Sequence, residues 1–253
     1  LQNAKNLKDN PVSANIEELA TEPSSNVNTE FPDYRPLPSA DENILYFTSR
    51  RYGSTGNKRD ADSSYFEDIY YTVKVNGVWQ DAMPVGEDVN SDEHEATVSL
   101  SPNGNKMFIY KFSDETSGDI YTIDHDGEKW GEPEPLLPGK INTEYWESHA
   151  TISLNEDLII FSSERPVLDA KGEEIVPGFG MELYTIVKGV DGEWGQPKRM
   201  GSNINTSYDE NAPYLHPDGK TLYFSSRGHN TMGGYDVFKS ELLNGEWSKP
   251  VNM

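Results

Sequence analysis

Apolar residues run along this chain in short blocks, such as Leu45–Phe47, Met107–Tyr110, Ile159–Phe161 and Leu222–Phe224, and polar turn residues close each block within a few positions. Blocks this short, with no helical periodicity between them, read as β-strands. One stretch shows the pattern in full: EATVSL (95–100), KMFIY (106–110), DIYTID (119–124), then a Trp-Pro segment ending near Leu137. SPNGN (101–105) and HPDGK (216–220) join first to second strands with residues that supply a fixed or positive φ. DG or NG closes every third-to-fourth hairpin, in NGVW (76–79), DGEKW (126–130), DGEW (191–194) and NGEW (244–247), as tight primed turns require.

The same order of landmarks recurs four times. V/I-N-S/T turns centre on Asn28, Asn90, Asn142 and Asn205, spaced by 62, 52 and 63 residues. Each is followed by a carboxylate, aliphatic, aromatic triplet opening at Asp68, Asp119, Glu182 or Asp236, and then by Trp79, Trp130, Trp194 or Trp247 with a proline soon after. Four antiparallel strands per unit, repeated, predict an all-β fold: a β-propeller of four-stranded blades spanning about 28–88, 90–138, 142–202 and 205–253. Second-strand aromatics are expected to pack between blades, and the tryptophans to cover the fourth-strand edge. Truncating one such buried aromatic is expected to cost about 3–5 kcal/mol.

Composition narrows the function classes. The 253 residues carry 21 basic and 43 acidic side chains, a net charge of −22, which argues against nucleic acid or an acidic membrane surface as partner. Cysteine is absent, which removes disulfides, thiolate metal sites and cysteine nucleophiles. The longest wholly apolar run, Leu158–Phe161, is far too short for a transmembrane helix. The start, LQNAKNLKDN, has neither an initiator Met nor an apolar signal core and reads as the interior of a longer chain.

Candidate chemistry gathers in the second-to-third connections, Arg50–Glu67, Phe112–Gly118, Glu164–Gly180 and Arg227–Tyr235, which are long compared with the turns at the other end of the blades. Of seven arginines, Arg50, Arg51, Arg59, Arg165 and Arg227 lie in or beside these loops, and only Arg35 and Arg199 lie outside. One reading is a cationic mouth that grips carboxylates through bidentate hydrogen bonds. The other pairs Arg50, Arg165 and Arg227 with Asp68, Glu182 and Asp236, leaving Arg51 and Arg59 open. His229 and Met232, flanked by Gly228, Gly233 and Gly234, suit either a close backbone approach or a protruding tip. The repeated carboxylates suggest no metal site, because a residue opening a third strand stands away from the channel. G-x-S-x-G, a phosphate-binding glycine loop and H-E-x-x-H are absent, no cofactor is implied, and a non-enzymatic protein is expected. A carboxylate-pair glycosidase remains the enzymatic alternative.

The pattern LYFSSR…GGYDVF…NGEWSKPVNM resembles the TolB-like, WD-repeat-like propellers of bacterial envelopes from about Asn26 to Met253. TSRRYGSTG (48–56), EDIYY (67–71), GDIYTI (118–123) and SSRGHNTMGGYDVF (225–238) more narrowly resemble Bacteroidetes OmpA-family outer-membrane-associated proteins. In that family a tetratricopeptide domain precedes the propeller, a peptidoglycan-binding OmpA-like domain follows, and some members serve the type IX secretion and gliding apparatus. The resemblance implies a helical remnant or linker at 1–10 and a propeller over 11–253. It also implies a five-bladed ring with one blade beyond Met253, and Val12–Ala20 as the latch strand. By the same resemblance the chain is a periplasmic interaction scaffold with envelope protein partners, touching peptidoglycan only through a domain outside it. The runner-up is a propeller that binds or cleaves an acidic glycan.

Overall fold

Each repeat folds as one antiparallel sheet whose strands pair in chain order, as a computed structural model that describes residues 26–113, 116–168, 174–176 and 180–253 shows. Blade 1 holds Asp33–Pro38, Ile44–Ser49, Asp68–Val75 and the short outer strands Val78–Trp79 and Met83–Pro84. Blade 2 holds His94–Leu100, Lys106–Ser113, Thr116–Asp124 and Glu134–Pro135. Blade 3 holds Glu147–Ile152, Leu158–Ser163, Glu182–Val187 and Lys198–Arg199, with a small hairpin, Val167–Leu168 and Glu174–Val176, in its second-to-third connection. Blade 4 holds Glu210–Leu215, Thr221–Ser226, Asp236–Leu243, Glu246–Trp247 and Val251–Asn252. The all-β propeller expectation is met by these four blades; a single 3-10 turn, Thr55–Asn57, is the helical element among the described residues. The expected helical remnant at 1–10 and latch at 12–20 lie outside the described residues.

The chain divides into two compact units, one ending at Pro138 with blades 1 and 2, the other Gly139–Met253 with blades 3 and 4. Each unit has its own core between its two sheets. In the first, Tyr46 and Ile69 of blade 1 meet Met107, Ile109, Ile123 and Trp130 of blade 2. In the second, Ile160, Leu183 and Met200 of blade 3 meet Leu215, Leu222, Phe224 and Phe238 of blade 4. Two-residue alternation along the second strands explains the sorting: Tyr46, Ile160 and Phe224 face the neighbouring blade in these cores. Phe47 and Phe161 are also buried, and each stacks on its cross-strand partner, Tyr70 or Tyr184, in its own blade. Trp130 departs from the expected edge position: it is buried edge-on against Tyr46 of blade 1. Trp79 and Trp194 keep to the outer edge, where Lys74 and Lys188 lie over their rings.

The V/I-N-S/T turn is the joint between blades. The Asn90 carboxamide accepts from the Ile69 amide at 2.9 Å and donates to the Ile69 carbonyl at 3.0 Å, so a turn leading into blade 2 closes on the third strand of blade 1. Asn205 does the same to Leu183 at 2.8 and 2.9 Å, and donates to the Met200 carbonyl at 3.1 Å. Only a side chain carrying donor and acceptor on one short arm satisfies both backbone groups, which explains why asparagine recurs here. The substitution Asn205→Ala leaves the buried Leu183 amide without an acceptor. It is expected to lower stability by about 2–3 kcal/mol, read as a lower urea midpoint with an unchanged slope.

Candidate functional site

Strand register fixes which loops share an end of each blade. In blade 3 Glu147 lies opposite Ser163, which lies opposite Glu182; in blade 4 Glu210, Ser226 and Asp236 align in the same way, and in blade 1 Asp33, Ser49 and Asp68. The turn before each first strand and the long second-to-third connection therefore emerge together.

At that end the first strand begins with a carboxylate that binds the preceding Ser/Thr turn. Glu147 and Glu210 have no exposed surface and accept from the amide and hydroxyl of Thr143 and Thr206. Each also accepts from the serine ending the second strand, Ser163 at 2.5 Å and Ser226 at 2.8 Å. Asp33 repeats the pattern with Thr29 and Ser49, and Glu95 with Ser91, a lysine, Lys111, taking the serine's place at 2.9 Å. Sequence reading passed over these carboxylates, although an acid four residues after the turn's Ser/Thr is written in all four repeats.

Two of the candidate arginines complete this joint. Arg51 Nη2 donates to Asp33 at 2.9 Å and to the Val27 carbonyl at 2.8 Å, and its guanidinium lies over Phe47 and Tyr70. Arg165 binds Glu147 at 3.1 Å and the Lys140 and Ile141 carbonyls at 2.8 and 2.6 Å, over Phe161 and Tyr184. In blade 4 the position falls to His229, whose Nε2 lies 2.9 Å from the Ile204 carbonyl and whose ring meets Phe224 and Phe238. Burial lowers the His229 pKa, against the raising effect of its Ile204 bond. The carboxylates respond accordingly. Burial alone would raise Asp33, but Ser49, Arg51 and Thr29 together hold it below the usual value, whereas Glu210, with no arginine in its joint, stays raised by burial.

The other candidates are also engaged, and not as the pairing reading expected. Arg50 pairs with Asp60, lies 3.7 and 3.8 Å from Asp62 and Glu67, and donates to the Tyr65 carbonyl. Arg227 meets Asp209 at 3.4 Å, and Arg59 lies over Tyr65, 4.1 Å from its centroid. Asp68 instead accepts from Thr55, Glu182 pairs with Arg199, and Asp236 accepts from Met232 N and Asn252. The expected pairs fail because Arg165 folds back toward the first strand, while Glu182 reaches the outer strand that carries Arg199.

The first unit carries a recess of about 320 Å³ lined by Tyr34, Arg35, Asp60, Glu67, His94 and Phe112, and the second unit carries recesses of about 370 Å³ beside Asn203 and Trp247 and about 540 Å³ beside His229, Met232 and Val251. The His94 ring stacks on Phe66 at 3.8 Å and hydrogen-bonds Glu67 through Nδ1, with Nε2 lying 3.7 Å from Asp60. Tyr34 donates to Glu67 at 2.8 Å. Burial works to raise Glu67, but the bonds from His94 and Tyr34 and the charge on His94 outweigh it and bring its pKa to about 2. Burial likewise works to lower His94, and its bond to Glu67 with the charges of Glu67 and Asp60 raises it overall. Asp60, Glu67 and His94 offer ligand atoms within 4.8 Å of one another, a donor set a divalent cation accepts. Arg50, however, already neutralises that corner, so the three form a closed ion network.

No protein-family model matches the chain, and no curated protein matches it. Solved structures do. TolB from Acinetobacter baumannii shares 18% identity over 87% of this chain with a TM-score of 0.53, and the chain spans 44% of that protein. A TolB-type protein from Agrobacterium tumefaciens shares 14% over 88% of this chain and 81% of its own, at 0.49. A periplasmic gluconolactonase from Pseudomonas aeruginosa shares 12% over 84% and 69%, at 0.43. The likeness is of fold, a TolB-like propeller, and these structures include both TolB proteins and an enzyme.

The network has a defined pH window. Glu67, depressed from 4.5 to about 2, contributes stability present above 4.5 and lost as pH falls through about 2. His94, raised from 6.5, contributes stability present below 6.5 and lost as pH rises through its folded value. Replacing His94→Gln is therefore expected to cost most between those limits, about 1–2 kcal/mol near pH ~5.5. The difference from the parent protein should shrink at pH ~9 when both are unfolded in urea.

Proposed function

We propose that this chain is the propeller module of a non-enzymatic, periplasmic protein-interaction scaffold of the OmpA family, associated with the outer membrane. The module binds an envelope protein partner, and peptidoglycan is reached through a domain outside this chain. Its place in a type IX secretion or other outer-membrane machine rests on the motif resemblance. The observation that carries the interaction reading is the aromatic end of the second unit. Tyr145 and Trp146 before blade 3, Tyr208 before blade 4 and Tyr235 in the blade 4 connection are 38%, 43%, 63% and 47% exposed. All four sit at the loop-bearing end fixed by strand register. Large amphipathic rings held by rigid joints suit protein recognition, where tyrosine and tryptophan dominate binding energy.

The glycan-hydrolase alternative has one feature in its favour, the closely spaced Asp60 and Glu67 carboxylates. Its general acid would need a raised pKa. Glu67 is held at about 2, and Asp60 is paired with Arg50. Glu67 is thus kept ionised by the hydrogen bonds from His94 and Tyr34, a state that favours structure over proton donation.

The combined substitution Trp146→Ala with Tyr208→Ala truncates rings that are 43% and 63% exposed. It is expected to weaken binding of a purified envelope partner by at least about tenfold with an unchanged unfolding midpoint. Isothermal titration measures the first and urea unfolding the second. Unchanged affinity, or turnover of an acidic polysaccharide by the parent protein, would sink the reading.

A further inference from the structure

Five of the seven arginines were candidates for an anion-binding mouth, and all five have partners within the chain, Arg59 and Arg227 at exposed positions. Arg199 is used as well, on Glu182. The remaining one is Arg35, which sequence reading set aside. It lies half-buried in the wall of the first unit's recess, and among the described residues its guanidinium makes no hydrogen bond or ion pair.

The backbone delivers it there. The first strand of blade 1 slips register between Tyr34 and Leu37, and Arg35 sits in that bulge at φ +52°. Its carbonyl is fixed by the Thr97 hydroxyl of blade 2 at 2.7 Å, and that hydroxyl is itself 3.0 Å from the buried Thr48 hydroxyl. Ala212 occupies the equivalent bulge of blade 4 at φ +48°. The bulge is thus a property of the repeat, and what is particular to blade 1 is the arginine placed on it. Left-handed φ before a proline is unfavourable at both Arg35 and Ala212, so the strain belongs to the bulge and the arginine takes its direction from it.

The ion pairs in the recess leave Arg35 out. Arg50 answers Asp60, and His94 answers Glu67. Among the described residues Arg35 has no carboxylate within ion-pair distance, with burial lowering its pKa and the charges of Tyr34, Tyr110 and Glu67 acting against that. A half-buried guanidinium without an ion pair gains by meeting an anion. A second negative charge on that anion would face Glu67 and Asp60, so a monoanion is favoured over a phosphate. A planar carboxylate matches the guanidinium fork, and Phe112 and Ala96 offer apolar wall to a carbon chain beside it.

We infer that the recess is a subsite for one peptide carboxylate, taken by Arg35, with an apolar neighbour of that carboxylate packed on Phe112. It rests on the interaction reading above and assigns part of the partner's chemistry. The carboxylate comes from an acidic side chain or from a chain terminus.

The test uses the full chain and four probes: acetyl-Phe-Glu-amide, acetyl-Phe-Gly with a free terminus, the neutral acetyl-Phe-Gln-amide, and glucuronate. The expected result is that at least one acidic peptide binds with Kd near or below ~1 mM and shifts the Arg35 Nε–H resonance. The neutral peptide and the Arg35→Gln variant should each bind about tenfold more weakly. Which acidic peptide binds distinguishes side chain from terminus. Arg35→Lys keeps the charge without the fork and should fall between; it serves also if Arg35→Gln unfolds. Equal binding of the neutral peptide, unchanged binding by both variants, no binding of either acidic peptide, or preference for glucuronate each overturns the subsite. If the parent protein meanwhile still captures its partner through Trp146 and Tyr208, the subsite alone has failed. If it captures none, the interaction reading fails too.

Discussion

A carboxylate buried at the start of each first strand holds each blade's loop end in shape. Glu147 and Glu210 have no contact with water, and an unpaired charge there would cost several kcal/mol. Each can remain only if the preceding turn brings its amide and hydroxyl into place and the second strand ends on serine at the same level. Once the turn is so fixed, the asparagine beside it can close on the third strand of the preceding blade, as Asn90 does on Ile69 and Asn205 on Leu183. The blade's end and the blade-to-blade joint are therefore a single polar network, and the apolar cores pack in register behind it.

The network also explains how cations are distributed on a chain of charge −22. Arginine is placed where it binds a buried carboxylate, a turn carbonyl and an aromatic pair at once, as Arg51 and Arg165 do. A guanidinium engaged on three sides has little left for a ligand. The recess at Arg35 differs because its wall is made by a strand bulge, a long loop and the first two strands of the next blade, which have no repeat-wide partner to offer.

Much of the fold was legible because its signals are local. Asn-Gly and Asp-Gly turns, the V/I-N-S/T landmark and the two-residue alternation of LYF and IIF each act within a few residues, and repetition multiplied them. The site was far less legible. Arg50 and Arg165 look equivalent because each follows a second strand, yet Arg165 is the counterpart of Arg51, two residues past the terminal serine. Trp130 looks like the other tryptophans and is buried between blades, because His125 and the neighbouring Tyr46 form a pocket for it that the sequence spacing does not announce.

Strand order within each blade, the four repeats of this chain and the turn asparagines of the joint follow from the chain alone, since backbone sterics and side-chain periodicity operate between near neighbours. Ion pairing does not follow from it. Which acid an arginine reaches depends on distances across a bulge or a loop of more than ten residues. Only the packed blades set those distances, bringing Arg35, Asp60, Glu67 and His94 to one wall.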